Sequence, residues 1–173
     1  YALAGFNTYT PMVADLRRGA NDGKDRVDGI ERLVFSDLAI AFDTGANGTA
    51  GQAYRLYRAA FDREPDQVGL GFWIEMLDRG VSLQTVAGGF TQGEEFIKLF
   101  GANASNAEIV TRLYQNILDR EPEKGGYDFW LSVLDNKLTD LGTVLAAFSE
   151  SNENYWVVAG LIGNGFEYQP YVG

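Results

Sequence analysis

Two stretches of this chain, residues 56–78 and 113–135, carry one pattern. Leu56-Tyr57, Asp62-Arg63-Glu64-Pro65, Gly69, Phe72-Trp73 and Leu77-Asp78 return as Leu113-Tyr114, Asp119-Arg120-Glu121-Pro122, Gly126, Phe129-Trp130 and Leu134-Asp135. The step is 57 residues throughout, as from Leu56 to Leu113. A repeat of this size is a duplicated supersecondary unit, so any fold for the chain must hold two equivalent clusters.

Within each unit the apolar residues recur at helical spacing. In the first copy the stripes are Leu56, Tyr57, Ala60, Phe61; Leu70, Trp73, Ile74, Leu77; Leu83, Val86, Ala87, Phe90; and Phe96, Leu99, Phe100. The second copy repeats them from Leu113 to Ile162, and its third stripe slips to a step of 58, as from Val86 to Val144. Loops absorb a one-residue insertion and helices do not, so the slip places a turn at Asn136-Lys137-Leu138-Thr139-Asp140. Capping boxes are expected at Thr91-Gln92-Gly93-Glu94 and Ser105-Asn106-Ala107-Glu108, N-caps at Ser82 and Thr139, and helix-ending glycines at Gly80 and Gly101. Pro65 and Pro122 stop the first helix of each copy.

Residues 1–45 read differently, as a β-rich arm of two or three strands. Leu33-Val34-Phe35 and Leu38 to Phe42 flank a Ser36-Asp37 turn, and Gly5 to Thr10 is an earlier strand candidate. The expected architecture is mainly α: two tandem four-helix units packed as one helical domain over 46–173, preceded by the arm. Copy one covers about 49–101 and copy two about 105–163.

Composition restricts the chemistry. The chain of 173 residues has neither Cys nor His, which removes thiol catalysis, Cys/His zinc sites and the Ser-His-Asp triad. Any metal would be hard and oxygen-liganded, calcium or magnesium. A net charge of −10 disfavours nucleic acid and anionic membranes as partners. No apolar run reaches the ~20 residues that span a bilayer. The start at Tyr1 has no Met and no basic leader, so the chain reads as a piece of something longer. No pair among the 24 acidic residues stands out for glycosidase chemistry, and an enzyme is not expected.

The Asp-Arg-Glu-Pro turns admit two readings. Asp62, Glu64 and Asp66, with Asp119, Glu121 and Glu123, would make carboxylate loops for a cation. Alternatively Asp and Glu cap helix ends while Arg63 and Arg120 pair with them, which is the favoured reading because helix termini need such partners. Trp73 and Trp130 lie on the apolar stripes and are expected in the core. Phe72 and Phe129 fall beside the stripe, half exposed or packed between copies, and are candidates for ligand contact. Tyr155-Trp156 breaks the repeat and is the other aromatic candidate. Asp22, Asp25, Asp28 and Glu31 are spaced as calcium ligands or as a solvated turn, with neither reading preferred.

The run from Leu56-Tyr57 through Asp62-Arg63-Glu64-Pro65-Asp66 and Phe72-Trp73 to Glu95-Phe96, with Tyr114-Gln115-Asn116 and Arg120-Glu121-Pro122, resembles a helical domain of unknown function. That family is found at the C-terminal end of large secreted bacterial proteins and is distantly similar to the phycobilisome linker domain. Asp25 to Asp37 resembles the segment that joins repeats-in-toxin (RTX) calcium β-rolls to such a domain, although the Gly-Gly-x-Gly-x-Asp nonapeptides themselves are absent. The resemblance implies export by a type I machinery and an S-layer-like or adhesin-like setting at the bacterial surface. The expected role is non-catalytic anchoring through surface polysaccharide or protein; alternatives are a calcium-stabilised C-terminal cap or an accessory module of a carbohydrate-active enzyme.

Overall fold

The computed structural model describes residues 2–3, 12–14, 24–26 and 29–173. Eight helices dominate them. Copy one holds α1 (Thr49–Phe61), α2 (Gln67–Asp78), α3 (Leu83–Gln92) and α4 (Glu94–Phe100). Copy two holds α5 (Asn106–Leu118), α6 (Lys124–Asp135), α7 (Leu141–Ser149) and α8 (Asn152–Ile162). The fold is mainly α with a short antiparallel β arm, as the repeat and the 3.6-residue periodicity predict.

Local chemistry sets the helix ends. Ser82 caps α3 through the Thr85 amide, and Ser105 with Glu108 forms a full capping box on α5. Gly80 and Gly101 end α2 and α4 at φ +85° and +93°, a region closed to most side chains. Two expected caps move. Thr91 lies inside α3, where its hydroxyl donates to the Gly88 carbonyl, and Gly93 opens α4 without a side-chain cap. Asp140 rather than Thr139 caps α7, because its carboxylate reaches the Thr143 amide at 2.7 Å. Of the fourth stripe, Leu99 faces solvent at 41% exposure while Phe96 and Phe100 stack at 4.0 Å inside.

The arm holds more strands than its sequence suggests. β1 (Ala2–Leu3), β2 (Met12–Ala14) and β3 (Lys24–Arg26) form one antiparallel sheet. β4 (Arg32–Val34) and β5 (Ala39–Ala41) form a hairpin across Ser36-Asp37, and β6 (Phe166–Tyr168) returns from beyond α8 to pair with β5. The strand candidate at Gly5 to Thr10 lies outside the described residues. Ala39, Ile40 and Ala41 are buried, and the tail after β6 runs along α2, where the Gln169 amide donates to the Gln67 carbonyl at 3.1 Å. Gly71 is required there: a Cβ would collide with the Gln169 carbonyl oxygen.

The two copies meet through equivalent helices, α3 against α7 and α1 against α5. Small residues bring α3 and α7 together, and a Cβ on Gly142 would stand 2.6 Å from the Gly88 amide nitrogen. One continuous core, including Leu56, Leu70, Ile74, Phe90, Leu113, Val144, Leu145 and Phe148, runs through both copies.

Candidate functional site

The Asp-Arg-Glu-Pro turns organise the polar chemistry. Asp62 and Asp119 end α1 and α5 in the left-handed region at φ 48° and 49°, a conformation that a short polar side chain tolerates. That reversal throws the following arginine back over the helix it has just left. Arg63 lies 5.0 Å above the Tyr57 ring and grips Glu95 of α4 with two bonds, Nε to Oε1 at 2.6 Å and Nη2 to Oε2 at 2.9 Å. Arg120 lies 4.9 Å above Tyr114 and grips Glu153 of α8 in the same way, at 3.0 and 2.9 Å. The arginines repeat at a step of 57 and their carboxylate partners at 58, so the inserted loop residue leaves the pair intact.

A second acid completes each cluster. The Tyr57 hydroxyl donates to Asp66, whose other oxygen caps α2 through the Gly69 amide at 2.7 Å. Burial and then the Asp66 contact push the Tyr57 phenol up to about 12. The Tyr57 hydroxyl, followed by the Gly69 amide, pulls Asp66 below the usual carboxylate range, and the Arg63 guanidinium does the same to Glu95. In copy two Glu123 bonds Arg120, which lowers its pKa, but it makes no cap contact with α6. A Cβ at Gly126 would strike both the Tyr114 hydroxyl and the Glu123 carboxylate, so those side chains would have to shift.

These clusters clamp one helix end to another. Asp66, Glu95 and Glu123 are each held below the usual carboxylate range by the groups they bond. The cation-loop reading fails at these turns: the arginines fill the place a cation would take, and no group of three acidic side chains converges among the described residues. Pro65 and Pro122 follow the reversal outside any helix, Glu64 is exposed, and Glu121 accepts from Gln115 at 2.8 Å. Of the other calcium candidates, Asp22 and Asp28 lie outside the described residues, Asp25 sits in β3 opposite Val13, and Glu31 is exposed beside β4.

Sequence reasoning missed the most buried charge. Arg55, 1% exposed, donates to Glu150 at 2.8 and 2.7 Å and to the Thr44 and Ala46 carbonyls, with its guanidinium 5.2 Å from the Tyr155 ring. It ties the arm, α1, α7 and α8 together. Its recurrence as Arg112 on the apolar side of the repeat was the available signal.

A family model described as a domain of unknown function (DUF4214) matches residues 45–100 and 87–157. Together the two matches cover well over half the chain and overlap from within α3 to the end of α4, consistent with a duplicated unit. The chain belongs to the DUF4214 family. No curated protein and no solved structure matches it.

The aromatic candidates of this DUF4214 domain separate by copy. Trp73 and Trp130 are each partly buried against the core, Trp73 at 4.6 Å from Phe90 and Trp130 at 5.3 Å from Phe148. Phe72 is covered by Tyr171 of the tail at 5.1 Å, whereas Phe129 is 58% exposed. Tyr155 lies half-buried beside Arg55, and Trp156 projects from α8 at 72% exposure, with Val157 and Leu161 on the same outer side. The structure therefore does not gather the four aromatic candidates into one site: Trp156 and Phe129 are open, and the other two are engaged.

Proposed function

We propose that this domain is a non-catalytic binding and assembly module of a large secreted bacterial protein, positioning it at the cell surface or matrix through polysaccharide or protein contacts. The observation that carries this reading is the outer face of α8. Trp156, Val157 and Leu161 stand exposed together on a helix that runs eleven residues against seven in its counterpart α4. Large apolar side chains grouped on a surface mark contact sites, and an exposed Trp is suited to stacking on a sugar ring. The absence of Cys and His, and the mutual engagement of the acids at both turns, favour binding over turnover.

Placement at the C-terminal part of a type I secreted, RTX-related protein, and kinship with the phycobilisome linker domain, rest on the sequence resemblance and belong to the same proposal. The test is retention of the purified domain on a panel of bacterial surface polysaccharides and on intact cells. Wild type is expected to be retained and Trp156→Ala to elute early. Equal elution of both on every surface would sink the reading.

A further inference from the structure

The two copies differ most where one is covered and the other is open. In copy one, Ala50, Tyr54, Arg55 and Leu70 are buried beneath the arm and tail: Phe166 sits 5.0 Å from Tyr54, and Thr44, Gly45 and Ala46 turn their carbonyls to Arg55. The matching face of copy two is a groove of about 350 Å³ lined by Ala107, Glu108, Thr111, Arg112, Gln115 and Tyr127.

The replacements between the faces have a direction. Gly51, Tyr54, Arg58 and Leu70 give way to Glu108, Thr111, Gln115 and Tyr127, so a surface shaped for protein packing becomes one lined by a carboxylate, a hydroxyl, an amide and a phenol. A protein segment of the tail's kind is disfavoured, because Asp128 stands where Gly71 admits the Gln169 carbonyl. The arginine is also left without its acid. Arg55 holds Glu150 with two bonds, but the residue equivalent to Glu150 in copy one is Gln92, at a step of 58, and Arg112 donates only to the Leu99 carbonyl. Among the described residues Arg112 forms no ion pair; the groove's own acid, Glu108, feels its charge but is bonded to the Ser105 amide and hydroxyl.

From this geometry we infer that the copy-two groove binds an acidic saccharide, a uronate-type sugar. Its carboxylate takes on Arg112 the place that Glu150 takes on Arg55, its ring lies against Tyr127, and its hydroxyls meet Thr111 and Gln115. A planar carboxylate matches the guanidinium fork with two parallel bonds. The Thr111 hydroxyl donates to Ala107 at 2.9 Å and the Gln115 amide nitrogen to Glu121 at 2.8 Å, so each keeps acceptor capacity for sugar hydroxyls. This inference rests on the binding-module reading and gives that module a second site, on the face of α5 and α6 rather than on α8.

The experiment is calorimetric titration of the whole chain with a galacturonate trimer and with the neutral galactose trimer. The acidic trimer is expected to bind at least tenfold more tightly. Arg112→Met should cost tenfold or more and Gln115→Ala a few-fold, with melting curves confirming that each variant is folded. Equal affinity for the two trimers, no affinity for the acidic one, or full affinity in folded R112M overturns the inference. So does selective uptake of a peptide of sequence 166–171 in place of the sugar. If Trp156-dependent retention on a surface polysaccharide persists while the acidic trimer is ignored, this groove assignment alone fails. If no surface retains the domain in any form, the module reading fails with it.

Discussion

Copy one and copy two share a motif and a helix order, yet they solve the same surface problem in opposite ways. Copy one borrows. Its first helix starts at Gly48, which has no side chain, and Asp43 of the arm supplies the cap by accepting from the Ala50 amide at 3.0 Å. Copy two is self-sufficient: Ser105 and Glu108 close α5, Asn106 bonds Asp135, and Lys124 pairs with Asp128 across the outer turn of α6. The face that α5 presents at Glu108, Thr111 and Gln115 is polar, while the matching face of α1 stays apolar because the arm lies on it.

The largest test of this contrast compares the two equivalent arginines. Arg55→Met should destabilise by about 3 kcal/mol, because it strips the partner from a largely buried acid and orphans carbonyls of the arm. R112M should cost no more than about 0.5 kcal/mol, since that arginine loses one backbone contact at the surface. Chemical denaturation of both variants measures the difference, and equal losses would break the comparison.

Next in size is the seam. Gly142→Ala puts a methyl group against the Gly88 backbone and should cost about 2 kcal/mol, lowering Tm by roughly 4–8 °C. Q84A, at the equivalent position of α3, is exposed and should leave the melt unchanged. A smaller effect separates the phenylalanines. F72A should cost about 1 kcal/mol through lost contact with Tyr171, while F129A should be neutral to stability.

The smallest effect depends on pH. Asp66 and Glu95 titrate below their unfolded values, so their contribution is complete above about pH 5 and drains as pH falls through the lowered folded values. E95Q should therefore flatten the acid limb of the stability curve below pH 4 and change neutral stability by only a few tenths of a kcal/mol, both partners being substantially exposed. An acid limb as steep in E95Q as in wild type would show that this clamp is idle.

The helical part of the fold was legible because duplication let each stripe be read twice, and the slip from 57 to 58 located a turn that the structure places between α6 and α7. The sheet was less so. Phe166-Glu167-Tyr168 is too short to show alternation, and nothing local announces that β6 pairs with a strand more than 120 residues earlier. The clamps were half visible: the arginines stand in the motif, but their partners Glu95 and Glu153 lie a further helix away, beyond any local pattern. Arg55 was missed because an arginine on an apolar face reads as solvated until the carbonyls that surround it are known. The groove at Arg112 emerges only when the two faces are compared in three dimensions.

The position of β6 has a mechanical consequence. Arg32 and Phe166 sit at one end of the small sheet and Val34 and Tyr168 at the other, so β4 and β6 run parallel on either side of β5. Tension applied between the start of β4 and the end of β6 would load these strands in shear, stressing all their hydrogen bonds together instead of peeling them one by one. The eight helices lie within the loop that this sheet closes and would be spared the pull until it gave way.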